Sequence, residues 1–269
     1  MKLSALALAL KRLNIGRAVH AATEWNALNR KATSWFQQGN YTKAAMAATK
    51  AVQAAEQALG LNHPDVATGL NNLGMVCYAR EQFTKAEPLH NRALTIREKA
   101  FGPDHPDVAQ SLNNLGILYS AQRQHTKAEP ALQRALAIRT EILGLADPNV
   151  ATSLDNLAAL YDDQEQYAKA EPLYHRALAI RMETLGPDHP DVATSLNNLA
   201  YSYSEQGKYA KAEPLFQRAL AIQETALGLN HPDVATSLKN IAVLYRKTGR
   251  ANSAERLEDR AAKIRMARR

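Results

Sequence analysis

Residues 105–116 read His105-Pro106-Asp107-Val108-Ala109-Gln110-Ser111-Leu112-Asn113-Asn114-Leu115-Gly116, or HPDVAQSLNNLG. Variants of this string begin at His63 (HPDVATGLNNLG), Asp147 (DPNVATSLDNLA), His189 (HPDVATSLNNLA) and His231 (HPDVATSLKNIA), each start 42 residues after the last. A fixed period of this size specifies a repeat architecture, whatever the local detail. One further step back reaches Ala21, where Leu28 matches Leu70, Tyr41 matches Phe83, Lys43-Ala44 matches Lys85-Ala86 and Gly60 matches Gly102. The chain therefore reads as six repeats over residues 21–269, with units 21–62, 63–104, 105–146, 147–188, 189–230 and 231–269, the first of them degenerate.

Within one repeat, Leu112, Leu115 and Tyr119 recur at helical spacing behind His105-Pro106-Asp107. The proline suits a first-turn position, and the aspartate suits the positive end of the helix dipole. This predicts helix A. A polar break at Gln122 to Gln124 follows, and then Ala128, Leu132, Ala135, Leu136 and Ile138 mark a second apolar stripe, helix B, ended by Gly144. Small residues recur where the two helices should cross: Gly74, Gly116, Ala158, Ala200 and Ala242 on A, and Ala86, Ala128, Ala170, Ala212 and Ala254 on B. A proline recurs early in helix B (Pro88, Pro130, Pro172, Pro214), where the loss of one amide donor is tolerable near the first turn. Ala and Leu dominate while Val and Ile are sparse, so an all-α protein is expected.

The pattern Leu112-x-x-Leu115-Gly116-x-x-Tyr119, followed by Ala128, Leu132 and Ala135, resembles the tetratricopeptide repeat. The 42-residue period, with HPDVA and KAEPLYHRALAIR, is similar to the kinesin light chain variety of that repeat over residues 21–269. The resemblance implies a right-handed α-solenoid of antiparallel helix pairs whose A helices line a concave groove. It implies the shared interaction module and not a motor role, since no heptad segment of the kind that holds a motor chain is in this sequence.

Residues 1–20 carry Ala7-Leu8-Ala9-Leu10-Lys11, which aligns with Ala135-Leu136-Ala137-Ile138-Arg139, and Gly16 then falls opposite Gly144. That segment is expected to be the second helix of a half repeat, an N-terminal cap. A secretory signal is the alternative, against which Lys11, Arg12 and Arg17 stand. At the other end Glu255, Arg256, Glu258 and Asp259 lie in the last helix B where an earlier copy has residues such as Pro214 and Phe216, the polar outer face that a terminal repeat requires. The longest apolar run near the start, Leu3 to Leu10, is too short to span a membrane.

Charge and cysteine content narrow the function classes. Residues 1–50 hold eight Lys/Arg against one acid and residues 246–269 hold nine against three, leaving 16 bases and 22 acids between them. Basic ends around an acidic body do not make the continuous basic face of a nucleic-acid binder. Binding of nucleic acid or an acidic surface through the termini stays as one alternative, and a regulatory fragment of a larger enzyme or signalling protein as another. One cysteine, Cys77, excludes an intramolecular disulfide framework and fits the cytoplasm. Cys77 replaces the tyrosine found at 119, 161 and 203, so a buried, inert thiol is expected. Four histidines, His63, His105, His189 and His231, occupy one position in four different repeats and cannot meet at one metal. No catalytic residue, metal site or cofactor is expected.

In tetratricopeptide domains the second, fifth, sixth, ninth, twelfth and thirteenth positions of helix A commonly face the ligand. By that resemblance the sixth position holds Arg30, Asn72, Asn114, Asn156, Asn198 and Asn240. An asparagine donates and accepts at once, which suits it to grip the backbone of an extended peptide, or to stitch neighbouring helices together. The fifth position adds Asn71, Asn113, Asp155, Asn197 and Lys239, while the twelfth and thirteenth add Asp162, Asp163, Glu205, Arg246 and Lys247. A groove acidic in the middle and basic toward its C-terminal end results, if these charges are not merely a solvated face. Two arginine columns on helix B, Arg92/134/176/218/260 and Arg97/139/181/265, either hold an acidic peptide or pair with Glu87, Glu129, Glu171 and Glu213. The expected function is a non-catalytic scaffold that binds an extended segment of another protein.

Overall fold

A computed structural model of the chain describes residues 24–266. The expected cap or signal at residues 1–20 lies outside the described residues. Among these residues there are twelve α-helices and no strand. They are α1 (24–37), α2 (Tyr41–Leu59), α3 (Pro64–Ala79), α4 (Phe83–Phe101), α5 (Pro106–Ala121), α6 (His125–Leu143), α7 (Pro148–Asp163), α8 (Tyr167–Leu185), α9 (Pro190–Glu205), α10 (Tyr209–Leu227), α11 (Pro232–Lys247) and α12 (Ala251–Met266). The all-α, paired-helix class expected from the period is the class observed. The chain divides into two compact units, residues 1–138 and 139–269, with the boundary inside α6. In the first unit α3 packs on α2, α4 and α5; in the second, each helix from α7 to α12 packs on the next. A helices also meet their successors directly, α3 with α5 in one unit, and α7 with α9 and α9 with α11 in the other.

The recurring string starts each A helix by one mechanism. The N-cap His63, His105, His189 and His231 accept through Nδ1 from the backbone N–H of Asp65, Asp107, Asp191 and Asp233 at 3.1–3.3 Å, and Asp147 accepts from Asn149 at 2.7 Å. One otherwise orphaned amide is thereby satisfied, and proline fills the first helical position, where no donor is needed. Helix B ends at a glycine with φ near +88°, as at Gly102 and Gly186, a conformation that a side chain would strain. The prolines of helix B lie deeper than expected. Pro88 is the sixth residue of α4, beyond the first turn, and the helix nevertheless continues to Phe101.

The small residues sit at the crossings. A Cβ on Gly116 would lie 2.5 Å from Cγ of Leu132, and one on Gly74 would lie 2.6 Å from the His90 ring. His90 is buried against that glycine, and its Nδ1 is 2.9 Å from Oδ1 of Asn71. Burial, with the Arg97 charge adding to it, drives its pKa down to about 4, so it is a neutral core residue. Cys77 is buried and burial pushes its thiol up, which keeps the less reactive form.

Neither arginine column pairs as expected. Arg92 and Arg134 reach back to Glu56 (2.6 Å) and Glu98 (2.9 Å) of the preceding B helix, and Arg260 to Glu224 (2.6 Å). Arg97, Arg139 and Arg181 are buried and point into the following A helix, where Arg97 and Arg139 donate to Ser111 (3.0 Å) and Ser153 (2.8 Å) and Arg181 donates to Ser195. Those three are unavailable to a peptide, because the inter-repeat joint uses their donors. Of the glutamates, Glu171 accepts from Tyr203 (2.7 Å), and Glu213 from Arg250 through both oxygens (2.7 and 2.9 Å).

Candidate functional site

In the second unit α7, α9 and α11 present corresponding positions side by side. A cavity of about 380 Å³ lies on this face, lined by Asp155, Asn156, Ala159, Asp162 and Asp163 of α7, Tyr174 of α8, Asn197, Asn198 and Tyr201 of α9, and Asn240 of α11. Three of the five sixth-position asparagines, Asn156, Asn198 and Asn240, therefore line one hollow, each half-buried. In the first unit Asn72 borders a smaller, mainly apolar cavity of about 120 Å³ with Ala32, Thr33, Phe36, Met75 and Val76. There the stitching role is visible, since Nδ2 of Asn72 donates to Oδ1 of Asn29 at 2.7 Å. Asn114 leaves a buried Nδ2 without a hydrogen-bond partner.

The fifth position lies beneath the sixth and is a joint between repeats more than a gripping surface. Asn71 and Asn113 are 3% and 5% exposed, and Nδ2 of Asn71 donates to Ser111 at 3.0 Å. Asn197 donates to Ser237 at 2.8 Å, and Ser237 in turn donates to Gln223 at 2.6 Å. At the third of these joints the chemistry is ionic: Asp155, 5% exposed, accepts from Arg181 through Oδ2, and its Oδ1 has no hydrogen-bond partner. Burial pushes the Asp155 carboxyl up against the opposing pull of the Arg181 charge. Lys239, by contrast, is exposed.

At the twelfth position Asp162 is half-buried. Its Oδ1 accepts from Ser202 at 3.0 Å, the Tyr174 hydroxyl faces it, and Oδ2 is buried without a hydrogen-bond partner. Burial raises this carboxyl to about 6; the Ser202 and Tyr174 hydroxyls oppose the rise, and the Asp163 and Glu205 charges add to it. Burial likewise pushes Tyr174 above the usual phenol range. Toward the C-terminal end Lys247 is paired with Glu205 at 2.9 Å and Arg246 with Glu258 at 2.6 Å. The basic end expected of the groove is thus partly neutralised by its own glutamates.

Sequence reasoning left the ninth position of helix A unread, although the register alone would have found it. It holds Met75, Ile117, Ala159, Tyr201 and Val243. Met75, Tyr201 and Val243 are among the exposed large apolar side chains, Tyr201 at 53% and Val243 at 50%. An apolar column therefore runs beside the asparagines within each unit. Among the described residues no group of three or more His, Cys, Asp or Glu is placed to hold a metal ion, and no helix is long and apolar enough to cross a membrane.

The tetratricopeptide repeat model matches residues 25–99, 65–141, 121–182, 149–225 and 195–267. No curated protein sequence matches the chain. Among solved structures the chain is similar to BtubC (BKLC) from P. vanneervenii, at 26% identity over 90% of this chain and 92% of that one, with a TM-score of 0.62. It is also similar to a putative kinesin light chain from P. anserina built of nearly identical repeats, at 26% identity over 74% and 95% of the two chains, TM-score 0.59. A Rap protein complexed with competence and sporulation factor shares the fold at 18% identity, over 91% of this chain and 76% of that one, TM-score 0.66.

Proposed function

The chain belongs to the tetratricopeptide repeat family, a family of protein-interaction modules, and from that premise we propose that it is a non-catalytic scaffold whose A-helix face binds an extended segment of a partner protein. One observation carries the reading: three half-buried asparagines from three successive A helices line one cavity, with exposed Tyr201 in the same hollow. An extended chain offers a donor and an acceptor at every residue, and asparagine can answer both without reading side chains. The exposed ninth-position residues supply apolar contact beside those polar grips, and alternate side chains of the segment supply specificity. The fifth-position pair of Asp155 and Arg181 holds the helices in register at the floor of this cavity.

The test is binding of a captured partner segment to the parent and to Asn156→Ala combined with Asn198→Ala. Each lost hydrogen bond is worth roughly 0.5–1.5 kcal/mol net, so affinity falls about tenfold or more while helical circular dichroism is retained. Reversal of Asp162 and Asp163 to Lys changes which segments bind, because like charges brought together penalise the old ones. Normal binding by the asparagine variant, with loss on neutralising Arg265, Arg268 and Arg269, would transfer the function to the basic terminus.

A further inference from the structure

We propose that the cavity between α7, α9 and α11 takes a cationic side chain of the bound segment, arginine in preference to lysine. The inference rests on the groove reading above and adds the chemistry of its central pocket. Three carboxylates line the cavity, Asp155, Asp162 and Asp163, and no cationic side chain is among its lining residues. Arg181, below the floor, offsets one of the three charges through Oδ2 of Asp155. One carboxylate oxygen remains without a hydrogen-bond donor, Oδ1 of Asp155, on a side chain more than nine-tenths buried, and Oδ2 of Asp162 has only the Tyr174 hydroxyl facing it. Buried acceptors are ordinarily satisfied, and an unfilled one at an acidic hollow marks the place of a missing donor.

The missing donor is a cation of a particular shape. Acceptors converge from α7 and α9, with the Asn156 and Asn198 amides beside the carboxylates. A guanidinium carries five donors in a planar fork and can serve several acceptors at once, whereas an ammonium is a compact point charge. The ring of Tyr201, half-exposed at the same cavity, offers a face over which a guanidinium stacks. The nearby Lys247 does not fill this role, since its ammonium is held by Glu205 at 2.9 Å. Because the chain as a whole carries a formal charge of +7, attraction of a basic segment is a property of this cavity and not of the protein's net charge.

The experiment is selection of linear peptides from an unbiased display library on the full chain. The best binder is then synthesised with arginine, lysine or citrulline at its enriched position. Citrulline keeps the shape of arginine and removes its charge. The expected result is enrichment of arginine at one fixed position, a loss of tenfold or more on changing it to citrulline, and a smaller loss for lysine. In Asp162→Asn combined with Asp163→Asn the citrulline penalty shrinks to within about twofold, the signature of a direct pairwise interaction. Because the citrulline comparison is made on the parent protein, the proposal stays testable if that variant folds poorly. Peptides that bind equally well with citrulline, or that carry no basic residue, overturn the inference while the groove reading stands, provided Asn156→Ala with Asn198→Ala still weakens them. If the asparagine variant binds them normally, the groove reading falls and takes this inference with it.

Discussion

Replacing Gly116 with leucine tests the packing on which the whole A-helix face depends. The glycine lies in α5 where that helix crosses α6, and even one added carbon would meet Cγ of Leu132 at 2.5 Å and Cδ2 at 2.6 Å, with the backbone oxygen of Ala128 at 3.4 Å. Ordinary contact between carbons is roughly 3.5–4 Å, so Leu132 would have to retreat by about 1 Å. It has little room to do so, being fully buried. A leucine adds three more carbons to the same gap, which places the overpacking cost near the top of its usual range, about 3 kcal/mol. Removing a glycine from a helix interior returns about 1 kcal/mol. The net loss of about 2 kcal/mol corresponds to a melting temperature lower by roughly 4–8 °C. Thermal unfolding followed by circular dichroism measures it, and adding Leu132→Ala to the same chain should recover part of the loss. A Gly116→Leu protein that melts within about 1 °C of the parent would show that the inward face has been placed wrongly.

The Asp155–Arg181 joint gives a second prediction: Arg181→Gln leaves a buried carboxylate unpaired and costs about 3–5 kcal/mol. Adding Asp155→Asn reproduces the neutral Asn197–Ser237–Gln223 joint of the next repeat and should return stability to within about 1 kcal/mol of the parent. No recovery in a urea titration of the double variant would refute equivalence of the two joints. Asp162 titrates near 6 when folded against an ordinary 3.8, so the folded state holds the proton more tightly and stability declines as pH rises through that window. Asp162→Asn removes the decline, gaining about 1 kcal/mol above pH 6 once partial solvent screening is allowed for, and little below pH 4; an equal gain at both pH values would contradict this. Deleting residues 147–188 as a unit should leave a helical chain that still unfolds cooperatively, because each repeat touches mainly its neighbours; loss of the helical signal would count against the repeat architecture.

The period was the most legible part of the molecule. The five strings starting at His63, His105, Asp147, His189 and His231 each begin an A helix in the structure, because the N-cap, the proline and the aspartate act within four residues and need no distant partner. Glycine at the crossings was legible for a related reason, since close approach leaves a size restriction that repeats at 42-residue steps. Side-chain partners were not legible. Arg97, Arg139 and Arg181 look like surface bases in the sequence, yet all three are buried in joints, and which acceptor they meet depends on how one pair stacks on the next. The fifth and sixth positions of helix A are adjacent polar residues that the sequence reads alike. A rotation of about 100° between successive residues turns Asn113 into the joint and sets Asp155 at the buried floor of the hollow, while Asn156 and Asn198 line it half-buried. The basic end of the groove was overstated because Glu205 and Glu258 lie outside any local pattern with Lys247 and Arg246.

Where a bound segment lies is read directly by photo-crosslinking. Ala159 is exposed at the cavity of the second unit, and Arg176 and Arg218 are exposed on the B helices. A photoreactive phenylalanine derivative is placed at each of these three positions in turn, in the full chain, and irradiated with a peptide selected on the parent protein. Binding on the A-helix face gives a covalent adduct from position 159, competed away by unlabelled peptide, and none from positions 176 and 218. Adducts from the B-helix positions with none from 159 would contradict it and move the binding surface to the other side of the repeats.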